Sequence, residues 1–330
     1  MLPNKPKIIF GMPKIAGLDN LIEEALRLEG FDVISLPQLA NSSGRYPSLL
    51  HRIYAKYRKI VYKDKDIAME MKSEVLRHKL EKLLGNSRVD YTLMISADIY
   101  STSLIKFIKE KTTTSCANYQ FDGLHRFPKI YDRIPLFDHF YVFDESDISN
   151  TDYPVDMATN FYFPHLCEDL PQPQYDFYFT GSHQVSRLHH INDFADWATG
   201  QGFTLDFTII GKNIRNDYLP QIHTKNDLIS FRDNIINSQL SRVLVDFVTN
   251  EHKGLSFRTF EALGMKKKLI TTNAEVKKYN FYHPNNIFIW SENNSGDLKD
   301  FLQRPYHPFA PEISQQYAFS NWVKRILHIE

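Results

Sequence analysis

Cysteine is nearly missing from this chain: Cys116 and Cys167 are the only two in 330 residues. Each lies in an apolar context, with no metal-ligand spacing and no disulfide framework, so a reducing compartment is expected. No apolar run approaches the roughly 20 residues needed to span a bilayer. The first seven residues, Met-Leu-Pro-Asn-Lys-Pro-Lys, lack the apolar stretch of a signal peptide. These absences point to a cytoplasmic protein. Net charge is absent as well, because 39 Lys and Arg balance 39 Asp and Glu. With no recognition motif beside that neutrality, nucleic acid is a poor partner. Neither Gly-x-Gly-x-x-Gly nor Gly-x-x-x-x-Gly-Lys-Ser/Thr occurs, which excludes the dinucleotide fingerprint and the common phosphate loop.

What is present is the composition of a folded globular protein, 14% aromatic and chiefly Phe and Tyr. The length suits two domains of roughly 150 residues. Charge is unevenly placed: between residues 45 and 82 eleven Lys/Arg face five Asp/Glu. Within that stretch Leu49, Leu50, Ile53, Tyr54, Tyr57, Ile60 and Val61 recur at helical spacing, continued by a second helix to about Lys82. A basic amphipathic surface of this kind suits anionic lipid head groups or a phosphorylated acceptor. Its ordinary alternative is a solvated helix whose apolar stripe packs on its own domain.

Short apolar strands alternate with helices through both halves. Strands are expected over 7–11, 32–36, 91–95, 113–118 and 139–143, and again over 175–179, 204–210, 241–247, 268–272 and 286–290. Helices are expected over 18–29, 101–109, up to about 197, 226–236, 297–302 and 311–327. This order predicts parallel sheets covered on both faces. The fold class is α/β, two Rossmann-like domains and a C-terminal helix, with a boundary between 1–165 and 166–330 near the Pro171-Gln-Pro173 punctuation.

In open α/β sheets ligands lie beyond the carboxyl ends of the strands, which singles out three loops in the second half. The first is Thr180-Gly181-Ser182, followed by Arg187. The second, with Lys253 and Gly254, leads into Phe-Arg258-Thr-Phe-Glu261-Ala-Leu-Gly264. The third ends at Thr272-Asn273. Arg258 and Glu261 stand three apart and share one helix face near its start. Free amides at a helix start and an arginine fork suit a phosphate, and a glutamate accepts hydrogen bonds from ribose hydroxyls. A site for a nucleotide phosphate is therefore expected. The plainer readings are an αβ unit with a surface ion pair, a helix cap at Gly181-Ser182, and a solvated loop lysine at Lys253.

The succession Phe-Thr-Gly-Ser…Arg187, then Gly254-x-x-x-Arg258-x-Phe-Glu261-Ala-Leu-Gly264, then Leu-Ile-Thr-Thr, resembles the C-terminal half of GT-B glycosyltransferases. It is most similar to the CgeB-type and bacterial surface-polysaccharide (lipopolysaccharide or capsule) branch. Tyr119-Gln-Phe-Asp122-Gly-Leu-His-Arg-Phe-Pro128 through Phe143-Asp144-Glu-Ser-Asp147 is similar to N-terminal halves of that group. The likeness covers about residues 90–300. It implies two domains facing a cleft, a nucleotide sugar on the second and a glycan or lipid-linked acceptor on the first, at the inner face of the cytoplasmic membrane. It implies no cofactor and no metal, with Glu261 on the ribose and Arg258 and the Gly181-Ser182 turn facing the phosphates. Many retaining members carry a second glutamate eight positions before the first; here Lys253 stands there, so stereochemistry stays open.

An inverting transfer needs a base for the acceptor hydroxyl. Asp122, in an aromatic loop with His125 and Arg126 on the acceptor side, is the first candidate, and Asp98 at a strand end is the second. Asp122 capping its own turn or pairing with Arg126 is the structural alternative. A nonenzymatic nucleotide- or sugar-binding protein and a nucleotide-sugar epimerase are the rival functions.

Overall fold

The computed structural model describes residues 5–41, 49–63, 66–149, 151–212, 214, 217–249 and 254–329. The chain divides into two compact units, one of Met1–Ile15, Asp19–Ala158 and Val323–Glu330, the other of Ala16–Leu18 and Thr159–Trp322. The first part of the chain forms β1 (Lys7–Gly11), β2 (Asp32–Ser35), β3 (Val89–Ile95), β4 (Thr112–Gln120), β5 (His139–Val142) and β6 (Asp156–Met157). Its helices are α1 (Leu18–Leu28), α2 (Leu36–Asn41), α3 (Leu49–Val61), α4 (Ile67–Leu84), α5 (Thr102–Lys111) and α6 (Ser146–Ser149). The second part forms β7 (Tyr175–Ser182), β8 (Leu205–Ile210), β9 (His223–Lys225), β10 (Ser241–Asp246), β11 (Lys268–Thr271) and β12 (Ile287–Ile289). Its helices are α7 (Leu188–Gly200), α8 (Phe231–Gln239), α9 (Phe257–Gly264), α10 (Leu298–Gln303), α11 (Pro311–Gln315) and α12 (Phe319–Leu327).

Each unit is built on one six-stranded parallel sheet, in the orders β2-β1-β3-β4-β5-β6 and β12-β11-β10-β7-β8-β9. In the second unit the period-two alternation of a strand assigns side chains to two faces. Phe177 and Phe179 of β7, Val243 and Val245 of β10 and Ile270 of β11 join one core with Phe194 and Phe207. Tyr178, Leu244 and Leu269, from the same strands, join the other with Phe260 and Leu263 of α9. Both faces are therefore dry, which is why these strands read as unbroken apolar runs. Among the described residues no helix is long and apolar enough to cross a membrane.

The structure departs from the expected elements where local pattern is weakest. Strands β6 and β9 are two and three residues long at sheet edges, and β9 is fully exposed, so neither shows apolar alternation. The helix expected from 226 starts at Phe231, because Ser230 caps it by accepting from the Asp233 amide at 3.0 Å. The helix expected over 311–327 is broken in two. Tyr162 inserts there, donating to the Tyr317 carbonyl at 3.0 Å and accepting from the Phe319 amide at 2.9 Å, in a parallel bridge with Ala318. Residues 159–165 thus fold with the second unit and 323–330 with the first, on the other side of the boundary placed at 165/166.

The basic stretch behaves as two different helices. On α4, Met71, Leu76, Leu80 and Leu84 are buried. On α3, Leu50, Ile53, Tyr54, Tyr57, Ile60 and Val61 are exposed and Ala55 is buried, so the stripe does not pack on its own unit. Residues 42–48, with Arg45, and 64–65 lie outside the described residues, as does the Leu49 side chain.

Trp322 is fully buried; its ring packs on Phe161 at 4.4 Å and its indole N–H donates to the Thr159 carbonyl at 2.8 Å. Trp322→Ala should lower unfolding free energy by about 3–5 kcal/mol, read as a lower urea midpoint with a similar slope. A loss below about 1 kcal/mol would show that this closure contributes little.

Candidate functional site

The second sheet runs outward from β7 to β8 on one side and returns through β10 on the other, so β7 and β10 enclose its topological switch point. The register Val243↔Phe177, Leu244↔Tyr178 brings the carboxyl ends of these two strands together. Two arginines meet there. Arg258, on the first turn of α9, is 8% exposed. Its Nη1 donates to the Val245 carbonyl at 3.1 Å, and its Nη2 to the Thr180 carbonyl at 3.0 Å and to Asn234 Oδ1 at 3.2 Å. The Tyr178 hydroxyl donates to the same Asn234 oxygen at 2.9 Å. Arg187 is also buried; its Nη1 donates to the Phe247 carbonyl at 3.1 Å and its Nη2 to the Ser182 carbonyl. Both guanidinium carbons lie 5.4 Å from the centre of the Phe179 ring, a cation–π arrangement. Burial lowers the Arg187 pKa; Asp246 opposes that shift and Arg258 adds to it.

Gly181 is explained by this packing. A Cβ there would stand 2.5 Å from Arg187 Nη2 and 3.0 Å from the Phe179 ring. The space expected to admit a phosphate beside Gly181 is filled by the Arg187 guanidinium. Exposed Ser182 contributes its carbonyl and, at 3.4 Å, its hydroxyl oxygen to the same group.

Around these cations stand carboxylate oxygens that lack hydrogen bonds among the described residues. Glu261 is 2% exposed, and both of its carboxylate oxygens are buried without a partner, as is Asp246 Oδ2 at the end of β10. The Nε atoms of Arg187 and Arg258 are unpartnered too. Burial pushes the Glu261 carboxyl up to about 7, with Arg258 pulling it down and Asp246 pushing it further up. At the head of α9, Ser256 has the extended backbone of an N-cap, yet its hydroxyl makes no capping bond and is buried without a partner. The first amides of α9 therefore lack the usual side-chain acceptor. So many unsatisfied polar atoms in one place mark a site with spare bonding capacity.

Asn273 holds this edge together, donating to the Gly254 carbonyl at 3.3 Å and accepting from the Glu275 amide at 3.0 Å. Gly254 is buried, and Lys253 lies outside the described residues. Asp246 escaped the sequence reading, although it ends the apolar run Val-Leu-Val just as Asp98 follows Leu-Met-Ile. The rule applied to Asp98 would have found it.

The remaining candidates gather at the carboxyl edge of the first sheet. Asp98 follows β3 through Ser96, a non-glycine residue in left-handed conformation at φ 53°. Burial raises the Asp98 pKa, the hydrogen bond from Gln120 (3.2 Å) and the charge of Arg133 oppose this, and Asp122 adds to it. Asp122 instead accepts from Arg126 at 2.6 Å and from the Gly123 amide at 2.9 Å. Its carboxylate is both ion-paired and a turn cap, the structural alternative foreseen for it. His125 is exposed, with its ring over Gly123, where a Cβ would stand 2.6 Å from Cε1.

No protein-family model and no curated protein sequence matches the chain. Solved structures do. A sucrose-phosphate synthase from Thermosynechococcus elongatus is similar at 8% identity, covering 98% of this chain and 95% of that one, with a TM-score of 0.52. A UDP-GlcNAc 2-epimerase from Methanocaldococcus jannaschii is similar at 9% identity, covering 98% and 99%, with a TM-score of 0.50. At such identities the likeness shows fold alone: this is an α/β chain of two Rossmann-like units, of the GT-B class.

The raised Glu261 carboxyl predicts a pH signature. The folded state binds a proton more tightly than the unfolded state, so the stability from this group is complete below the unfolded pKa and is lost as pH rises through about 7. Glu261→Gln, which cannot ionise, should gain Tm relative to wild type between about pH 5 and about pH 8. A Tm difference independent of pH would show that Glu261 ionises as an ordinary carboxylate.

Proposed function

We propose that the protein is a glycosyltransferase moving a sugar from a nucleotide-sugar donor to a glycan or lipid-linked glycan acceptor, in the bacterial surface-polysaccharide synthesis that its CgeB-like motifs suggest. The observation that carries this reading is the buried set of Glu261, Asp246, Arg187 and Arg258 at the switch point of the second sheet, with carboxylate oxygens and Nε atoms left unpartnered. Ribose hydroxyls would donate to Glu261, supplying the bonds it lacks. The uncapped start of α9 would receive the phosphates, and its dipole with the adjoining arginines would stabilise the departing nucleotide. The donor is then a substrate, no cofactor is needed, and metal-independent transfer is the expectation. A cytoplasmic setting at the membrane's inner face fits such acceptors.

On the acceptor side Asp98 suits general base catalysis better than Asp122. A base must be free to take a proton near neutral pH. Burial raises the Asp98 pKa, whereas Arg126 holds Asp122 as an ion pair. A 2-epimerase reading is supported by fold likeness to an enzyme of that name, and it differs in needing no acceptor.

UDP-, GDP-, dTDP- and CMP-sugars, tested for thermal shift and nucleotide release with and without glycan acceptors, decide between these. Release that requires acceptor supports transfer; conversion of the sugar without acceptor supports epimerisation; binding without either supports a nonenzymatic protein. Nucleotide affinity should rise between about pH 6 and about pH 8, as Glu261 ionises, and the rise should vanish in Glu261→Gln. Asp98→Asn should lower turnover by roughly 10²–10⁴-fold with little change in nucleotide affinity. Normal turnover in that variant would return the role to Asp122, and loss of activity in EDTA would sink the metal-free account.

A further inference from the structure

Helix α3 has an unusual surface. From Leu49 to Lys63 the chain contains five Lys/Arg (Arg52, Lys56, Arg58, Lys59 and Lys63) and no Asp or Glu. Its large apolar side chains are exposed: Leu50 by 76%, Ile53 by 59%, Tyr57 by 51% and Ile60 by 67%. These positions recur at intervals of three and four, so they form one stripe along the helix. The next helix is built differently. On α4, Arg77 pairs with Glu74 at 2.7 Å and with Glu81 at 2.6 Å, while Met71, Leu76, Leu80 and Leu84 are buried and Leu83 is exposed. Helix α4 carries its own counter-charges and packs on its own unit; α3 contains no carboxylate and leaves its stripe exposed.

We propose that α3 docks on an anionic lipid bilayer, its aliphatic and aromatic stripe entering the interface while its cations meet the head groups. Charge complementarity selects this occupant. A helix with four cations and no anion, followed by Lys63, would meet only like charge on the same helix of a second copy. A negatively charged surface attracts these cations together, and the attraction falls off as salt screens it. Aliphatic side chains and amphipathic tyrosine rings are the groups that settle at the lipid–water boundary. The docking element is then α3 alone, rather than the whole basic stretch. The proposal is independent of the glycosyltransferase reading, because its test measures adsorption and not turnover.

Full-length protein is mixed with phosphatidylcholine vesicles containing either no anionic lipid or about 30% phosphatidylglycerol and then sedimented. Binding should be at least about tenfold stronger to the anionic vesicles. Ile53→Ser with Ile60→Ser, and separately Arg52→Glu with Lys56→Glu and Lys59→Glu, should each remove most of it while circular dichroism stays unchanged. Added salt should weaken the wild type toward the charge-reversed variant. A Tyr57→Trp variant should shift its fluorescence to the blue on anionic vesicles, which surface attraction without insertion would not produce. Equal sedimentation of wild type and both variants overturns the proposal, as does an unshifted emission from the Tyr57→Trp protein. Self-association that Ile53→Ser abolishes, with no vesicle binding, would assign the face to a second copy and overturn it too.

Discussion

Two buried guanidinium groups beside one phenylalanine organise the carboxyl edge of the second sheet. A parallel strand ends with carbonyl oxygens that no neighbouring strand takes up, and at β7 and β10 those oxygens are met by Arg187 and Arg258. This requirement explains Gly181, whose missing side chain makes room for one of them. It also explains the company they keep: two cations out of water need negative charge nearby, and Asp246 and, as pH rises through about 7, Glu261 stand beside them. Hydrogen bonding there is out of balance. A purely structural ion-pair network would have closed its bonds, so the imbalance suits a ligand rich in hydroxyl and phosphate groups.

Much of the fold was legible because both sheets are buried on both faces. Runs such as Lys7-Ile-Ile-Phe and Val243-Leu-Val must lie in a dry layer, and their punctuation by glycine and polar residues set most helix and strand ends. What escaped was non-local. No periodicity within 311–327 announces that Tyr162, far away in the chain, will take up the backbone at residues 317 and 319. Gly264 shows the same limit. It reads as a helix stop, yet a Cβ there would stand 2.4 Å from the Tyr162 ring, so it also permits that insertion.

The site was legible in its residues and not in their directions. The spacing of Arg258 and Glu261 put both on α9, and both lie at the switch point. Arg258, however, commits its fork to backbone carbonyls, because a long side chain on the first turn of α9 reaches the ends of β7 and β10. Likewise the sequence leaves Asp122 open between a base and a partner of Arg126, and only the three-dimensional neighbourhood shows that the ion pair forms.

The route of the chain has a consequence for how the protein is made. The first unit is interrupted by the second and completed only by residues 323–330. His328 from this last segment stacks on His139 of β5 at 3.7 Å and meets the Tyr141 hydroxyl at 2.9 Å. On the ribosome these partners emerge after the whole of the second unit has been synthesised. The earliest part of the chain to appear is therefore among the last to be finished, and during synthesis β5 waits with its aromatic face unpartnered.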